Sequence, residues 1–339
     1  HRDLHSFPTR RSSDLVGLVL SAFYTYNTTN MRDWNLGPGD PLQLTIAADA
    51  RLTTTNYLDD HIWELDLSGG DPSALALRTT YGLRARLMRL FPRFTENGKT
   101  VNDPAAFVGP PRLRHFYPNF LSVTFSPFAG IEVTADYWAA ASQVVSGRLT
   151  IANRSVAPRP LRLEWVGQLS PLEGRSMAAE QRQSVVVLQG QVDELFPVLF
   201  LTGGPQAGPG PYSSLALMLE LPPGATRQVT WALASLKDPQ ESFDLARRIA
   251  ARPFDAEKTR IEMLNASQGV DIVTGDPDWD AAFAFSQKAA YGLFHSPTEH
   301  LPYPSFVFSR QPDQGHSRLG NGSDYQHFWS GQSPFESYY

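Results

Sequence analysis

The chain has 339 residues, with 29 Lys and Arg against 34 Asp and Glu, a formal net charge of -5 and no cysteine. A mildly acidic chain without a basic run argues against nucleic acid or an anionic membrane as main partner. The lack of Cys excludes a disulfide scaffold and a thiolate metal site, without fixing the compartment.

The elements follow in chain order. His1–Leu15 (HRDLHSFPTRRSSDL) resembles, residue for residue, the forward translation of a common sequencing adapter, and is set aside from fold reasoning. On that expectation the native sequence begins within Leu15 or Val16 and the chain is cut at both ends. The leader would then be an unanchored tail. From Val16 to Leu236 the text reads as strands. Leu42, Leu44 and Ile46 alternate with polar or small residues, and Trp63, Leu65 and Leu67 alternate with Ile62, Glu64 and Asp66. Further runs are Leu83–Phe94, Phe120–Phe125, Ile131–Trp138, Val145–Asn153, Leu161–Leu169, Val185–Leu188, Leu195–Leu201, Leu215–Leu221 and Gln228–Leu236. They are short, rich in β-branched and aromatic residues, and separated by Gly, Pro, Asn and Asp. Arg148–Ile151 and Leu161–Trp165 read as a hairpin closed by the loose loop Asn153–Pro160, and Gly203–Pro211 reads as a turn between strands. About a dozen strands and few helical stretches predict a large antiparallel β-sandwich.

The pattern changes at Lys237. Asp238 suits an N-cap, Pro239 the first helical position and Glu241 a capping-box spacing, so a helix is predicted to run to about Ala251, before Pro253. Phe254–Ala266 reads as a second helix. Asp276-Pro277 opens a third, in which Trp279, Ala282, Phe283, Ser286, Ala289, Ala290 and Leu293 form one amphipathic stripe. Trp279 and Phe283 are expected in a core. The chain thus divides into residues 16–236 (sandwich), 237–269 (helical linker) and 270–339 (start of a further domain). No apolar run reaches the ~18 residues of a spanning helix.

The chemistry concentrates after His295. Ser309-Arg-Gln-Pro-Asp-Gln-Gly-His316 and Gly322-Ser-Asp-Tyr-Gln-His-Phe-Trp329 mix flat aromatics with carboxylates and amides. Sugar recognition needs both, aromatics for C–H faces and carboxylates or amides for vicinal hydroxyls. Trp329 or Phe308 suits the first role; Arg310, Asp313, Asp324 and Gln332 suit the second. A loop whose charges pair internally, with Arg310 bridging Asp313, is the other reading. His316 and His327 match no metal-ligand spacing, so no metal and no cofactor are expected. There is no Gly-x-Ser-x-Gly elbow, phosphate loop or dinucleotide fingerprint. Asp136-Tyr-Trp138 and His61-Ile-Trp63 are acid- or imidazole-bearing aromatic clusters that read as core packing before they read as a sugar patch.

A sandwich, a helical linker and an amphipathic helix leading into an aromatic, acidic loop together resemble bacterial glycoside hydrolases with an (α/α)6 toroid. These include the glucoamylase, glucosidase and glycogen-debranching groups. Thr274-Gly-Asp-Pro-Asp-Trp-Asp-Ala-Ala282 is similar to a first toroid helix, and Tyr325-Gln-His-Phe-Trp-Ser-Gly-Gln332 to the loop before the second. The resemblance implies a mainly β chain ending in the first helices of a truncated toroid. It also implies an oligosaccharide or polysaccharide substrate, and substrate binding by Asp324 and Trp329. Related glucosidases follow the Trp with Asp, whereas Ser330 follows Trp329 here. The resemblance puts the two catalytic carboxyl groups on later helices, beyond Tyr339, so this chain alone is expected to be inactive. A phosphorylase or lyase on the same plan, or a non-catalytic sugar-binding sandwich, are the alternatives.

Overall fold

A computed structural model of the chain describes residues 34–35, 44–270, 272–298, 302–307 and 309–322. Its first strands are β1 (Trp34–Asn35), β2 (Thr45–Ile46), β3 (Trp63–Asp66), β4 (Ala76–Thr79), β5 (Ala85–Glu96) and β6 (Lys99–Val101). Next come β7 (Gly109–Tyr117), β8 (Phe120–Phe128), β9 (Ile131–Ala141), β10 (Val144–Asn153), β11 (Arg159–Pro171) and β12 (Gly174–Arg182). β13 (Val185–Val192), β14 (Phe196–Leu201), β15 (Gln206–Ala207), β16 (Ser214–Leu221) and β17 (Thr226–Leu236) complete two antiparallel sheets. The nine-stranded sheet runs β1-β7-β8-β9-β10-β17-β14-β13-β12, and the eight-stranded one β15-β16-β11-β5-β4-β3-β2, with β6 paired to β5.

The sheets face each other across one core. Leu149, Ile151, Trp231 and Leu233 of the first meet Leu90, Phe94, Leu163 and Trp165 of the second. This is the expected sandwich, with one correction of topology. β10 pairs with β9 and β17, whereas β11 pairs with β5 and β16, so Arg148–Ile151 and Leu161–Trp165 lie in different sheets and form no hairpin. The loop Asn153–Pro160 crosses between layers. Asn153 holds the crossing, its Nδ2 donating to the carbonyl oxygens of Ala157 and Leu221, both at 2.8 Å.

The helices α1 (Pro239–Ala250), α2 (Phe254–Gln268) and α3 (Pro277–Gly292) match the predicted spans closely. Asp238 caps α1, accepting from the Gln240 and Glu241 amides at 2.7 and 2.9 Å, and Asp276 caps α3. α1 and α2 cover the outer side of the nine-stranded sheet, where Ala246, Ile249, Phe254 and Ile261 pack on Phe120, Trp138, Val144 and Ala234. Arg51 ties the helices to the sandwich. Its guanidinium pairs with Asp49, donates to Asn265 and Gln268, and lies 4.1 Å from the Tyr291 ring centre.

α3 is turned opposite to expectation. Phe285 packs on Phe116 with ring centres 5.7 Å apart, and the Lys288 ammonium sits over the Tyr117 ring. The predicted stripe of Ala282, Phe283, Ser286, Ala289 and Ala290 is exposed, and Trp279 is 61% exposed. Periodicity defines a stripe but not what lies against it, and the sandwich takes the face carrying Ala281 and Phe285. The described residues contain three α-helices, with no toroid among them. His1–Leu15, and Asp324, Trp329 and Gln332, lie outside the described residues.

Candidate functional site

After α3 the chain forms a small hairpin, β18 (Phe294–His295) with β19 (Ser305–Phe306), and then lies on the end of the sandwich. Two adjacent buried carboxylates, Asp59 and Asp60, receive it. Asp60 Oδ2 accepts from Arg310 Nε at 3.0 Å and Nη2 at 2.5 Å. Arg310 Nη1 donates to the carbonyl oxygens of Ala48 (3.0 Å) and Gly292 (2.7 Å). One guanidinium therefore joins the sandwich, the end of α3 and the final loop, using four of its five N–H donors.

The internal Arg310–Asp313 bridge, the other reading of this loop, is not formed; Arg310 pairs with Asp60. Asp60 already neutralises the arginine in a site where Arg310 and Asp60 are 7% and 3% exposed, and a buried charge demands such a partner. The geometry thus gives Arg310 an anchoring task.

Asp59 pairs with buried Arg84 and lies 3.2 Å from His61 Nε2. Burial alone would push the Asp59 carboxyl up, but His61 and Arg84 together outweigh it and hold the group well below the usual carboxylate range. The backbone of Asp59 bridges to His316, and the Asp60 amide donates to the Gly315 carbonyl at 2.7 Å. Gly315 adopts φ +89°, and a Cβ there would run into the Asp60 carbonyl oxygen, so only glycine permits this approach.

Desolvation, with Arg84 nearby, lowers the pKa of half-buried His316. Its neutral form is therefore favoured on folding. That contribution is present above the ordinary imidazole value of about 6.5 and is lost as pH falls through the depressed folded value. Asp59 acts in the same direction lower down, its contribution being lost below the ordinary carboxylate range. We expect thermal stability to decline on acidification from about pH 7 to about pH 5, and less steeply in His316→Gln. Equal slopes for the two proteins would contradict this assignment.

Beside the anchor is a pocket of about 260 Å³ lined by Glu64, Arg78, Thr80, Arg86, Leu87, Gln311, Pro312 and Asp313, among others. One wall is the eight-stranded sheet and the other is the final loop. The walls are tied by Thr80 Oγ1 and the Gly82 amide, which donate to the Pro312 carbonyl at 2.6 and 3.2 Å. Glu64 is neutralised by Arg78, whose Nε donates at 2.9 Å. Asp313 and Arg86 are exposed and have no ion-pair partner among the described residues.

Of the residues singled out in the sequence, the structure brings Arg310 and Asp313 into one loop with different surroundings. Glu64, Arg78 and Arg86 were missed. The alternation of Glu64 and Asp66 against Trp63 and Leu65 already put two carboxylates on the face away from the core. Asp136, Tyr137 and Trp138, and His61, Ile62 and Trp63, are all buried, in keeping with core packing. The described residues hold no group of three or more His, Cys, Asp or Glu suited to a metal ion.

No family model matches the sequence, and no curated protein matches it in sequence. In fold the chain is similar to a bacterial glucoamylase solved with acarbose, with TM-score 0.52 and 10% identity over 86% of this chain and 47% of that one. It also matches a protein described as a kojibiose phosphorylase from the human microbiome (TM-score 0.35, 10% identity, 74% of this chain, 31% of that one). A third match is a family GH92 α-mannosidase from Bacteroides thetaiotaomicron (TM-score 0.31, 11% identity, 66% and 33%). The chain spans less than half the length of each of these proteins. The likeness to the glucoamylase is one of fold.

Proposed function

We propose that the chain is the N-terminal part of a glycoside hydrolase acting on α-glucosides or related oligosaccharides. The observation that supports this best is the outward stripe of α3. Trp279, Ala282, Phe283, Ser286, Ala289 and Ala290 repeat at helical spacing on a helix whose other face already packs on the sandwich. A helix apolar on both faces belongs between two layers, and a layer of further helices is the partner a toroid supplies. Residues 270–339 then begin the catalytic domain, after the sandwich of residues 16–236 and the linker 237–269.

In this reading the final loop lines the substrate cleft. Trp329 stacks on a sugar ring, Asp324, Gln332 and Asp313 hydrogen-bond its hydroxyls, and Arg310 holds the loop in place. The acid that protonates the leaving oxygen and the carboxylate that activates water lie beyond Tyr339, roughly 6.5–9.5 Å apart if the enzyme inverts. The test is product analysis on the protein extended past Tyr339, with maltooligosaccharides, with and without inorganic phosphate. Glucose release independent of phosphate supports a hydrolase. Glucose 1-phosphate formed only with phosphate would identify a phosphorylase instead, and no turnover of any glycan would leave a sugar-binding sandwich.

A further inference from the structure

We infer that the pocket between the eight-stranded sheet and the final loop is a binding subsite for one ring of a neutral saccharide, with Asp313 and Arg86 as its hydrogen-bonding pair. This assignment rests on the carbohydrate reading above and extends it, because the sandwich itself then contributes to substrate recognition.

Charge comes first. The pocket is lined by two carboxylates and two guanidiniums, Glu64 and Asp313 against Arg78 and Arg86. Glu64 and Arg78 satisfy each other. One acceptor-only group, Asp313, and one donor-only group, Arg86, remain available, and their charges cancel. Sugar hydroxyls donate to a carboxylate and accept from a guanidinium, so a ring offers partners to both groups. A phosphorylated sugar would gain Arg86 but be repelled by Asp313.

The rest of the lining agrees. Leu87 and Pro312 supply apolar surface for the C–H groups of a ring, and Thr80 and Gln311 supply neutral polar groups. The volume of about 260 Å³ falls under the ~300–1,000 Å³ of pockets for drug-sized ligands, which suits a single ring. The site is also preorganised, since Thr80 and Gly82 bind Pro312 and Arg310 is locked to Asp60 before any ligand arrives.

The experiment is a titration of the 339-residue chain with glucose, galactose, maltotriose and acarbose, followed by ligand-observed NMR. Glucose 6-phosphate and glycine serve as charged and zwitterionic comparisons. Saturable binding of at least one neutral sugar is expected, weakened about ten-fold or more by Asp313→Asn and by Arg86→Gln. Melting temperature should be unchanged, because both side chains are exposed and unpaired among the described residues. Failure of every neutral sugar to bind, binding indifferent to both substitutions, or tighter binding of glucose 6-phosphate or glycine would each overturn the assignment. The glycoside hydrolase reading fails separately: sugar binding through Asp313 with no turnover by the extended protein would leave the subsite standing and remove the enzyme.

Discussion

Replacing Arg310 with Met is expected to destabilise the chain by about 3–5 kcal/mol, the cost of leaving a buried carboxylate without its partner. Asp60 would lose its guanidinium partner in a nearly inaccessible site, with His295 Nε2 3.9 Å away. The carbonyl groups of Ala48 and Gly292 would lose a donor as well. Arg310→Lys should recover only part of the loss, since a point charge cannot reach Asp60 and two carbonyls in three directions as the planar fork does. Arg310→Met with Asp60→Leu should be milder than Arg310→Met alone, because the uncompensated charge is gone. Urea denaturation measures all three. Saccharide binding should fall in Arg310→Met, because the Asp313 wall is released. Stability of Arg310→Met within about 0.5 kcal/mol of the parent would contradict the anchoring role.

The second large effect lies in the core. Trp165 and Trp231 come from opposite sheets, are fully buried, and lie tilted by 34° with ring centres 4.8 Å apart. Gly147 stands opposite Trp231 in register and leaves room for the indole, which a Cβ there would strike. Trp231→Ala should cost about 3–5 kcal/mol through lost burial and the cavity left behind. Trp279→Ala should change the stability of this chain by no more than about 0.5 kcal/mol, since that ring is 61% exposed and its ring contact is with Phe283. Denaturation midpoints of the two variants, compared side by side, measure the contrast. A large loss at Trp279 would mean that α3 packs through the other face.

The elements of the chain differ in how plainly their residues announce them. The strands rich in Val, Leu and aromatics were legible because burial on one face imposes a period of two, and the helices because Asp238-Pro239 and Asp276-Pro277 announce their starts. Of the sandwich strands, β1, β4, β6, β7, β12 and β15 were missed, β15 lying in the segment Gly203–Pro211 read as a turn. β7 opens with Gly109-Pro-Pro111, and β12 is mostly exposed, so neither carries a clean apolar alternation. The false hairpin at Asn153–Pro160 arose because nearness in sequence favours pairing, whereas this loop changes sheets. Arg310 was recognised as important, but its partner stands 250 positions away, and local spacing had offered Asp313 instead. Arg86 carried no signal at all, since its significance comes from the pocket that the final loop closes over β5.

We propose that these residues bind sugar and that the catalytic pair is not among them. The direct measurement is glucose release from maltooligosaccharides by the purified 339-residue chain, beside its Asp324→Asn variant. Saturable sugar binding and no turnover by either protein are expected. Hydrolysis by the parent chain that Asp324→Asn abolishes would contradict the proposal, and would move the catalytic carboxylate into the final loop.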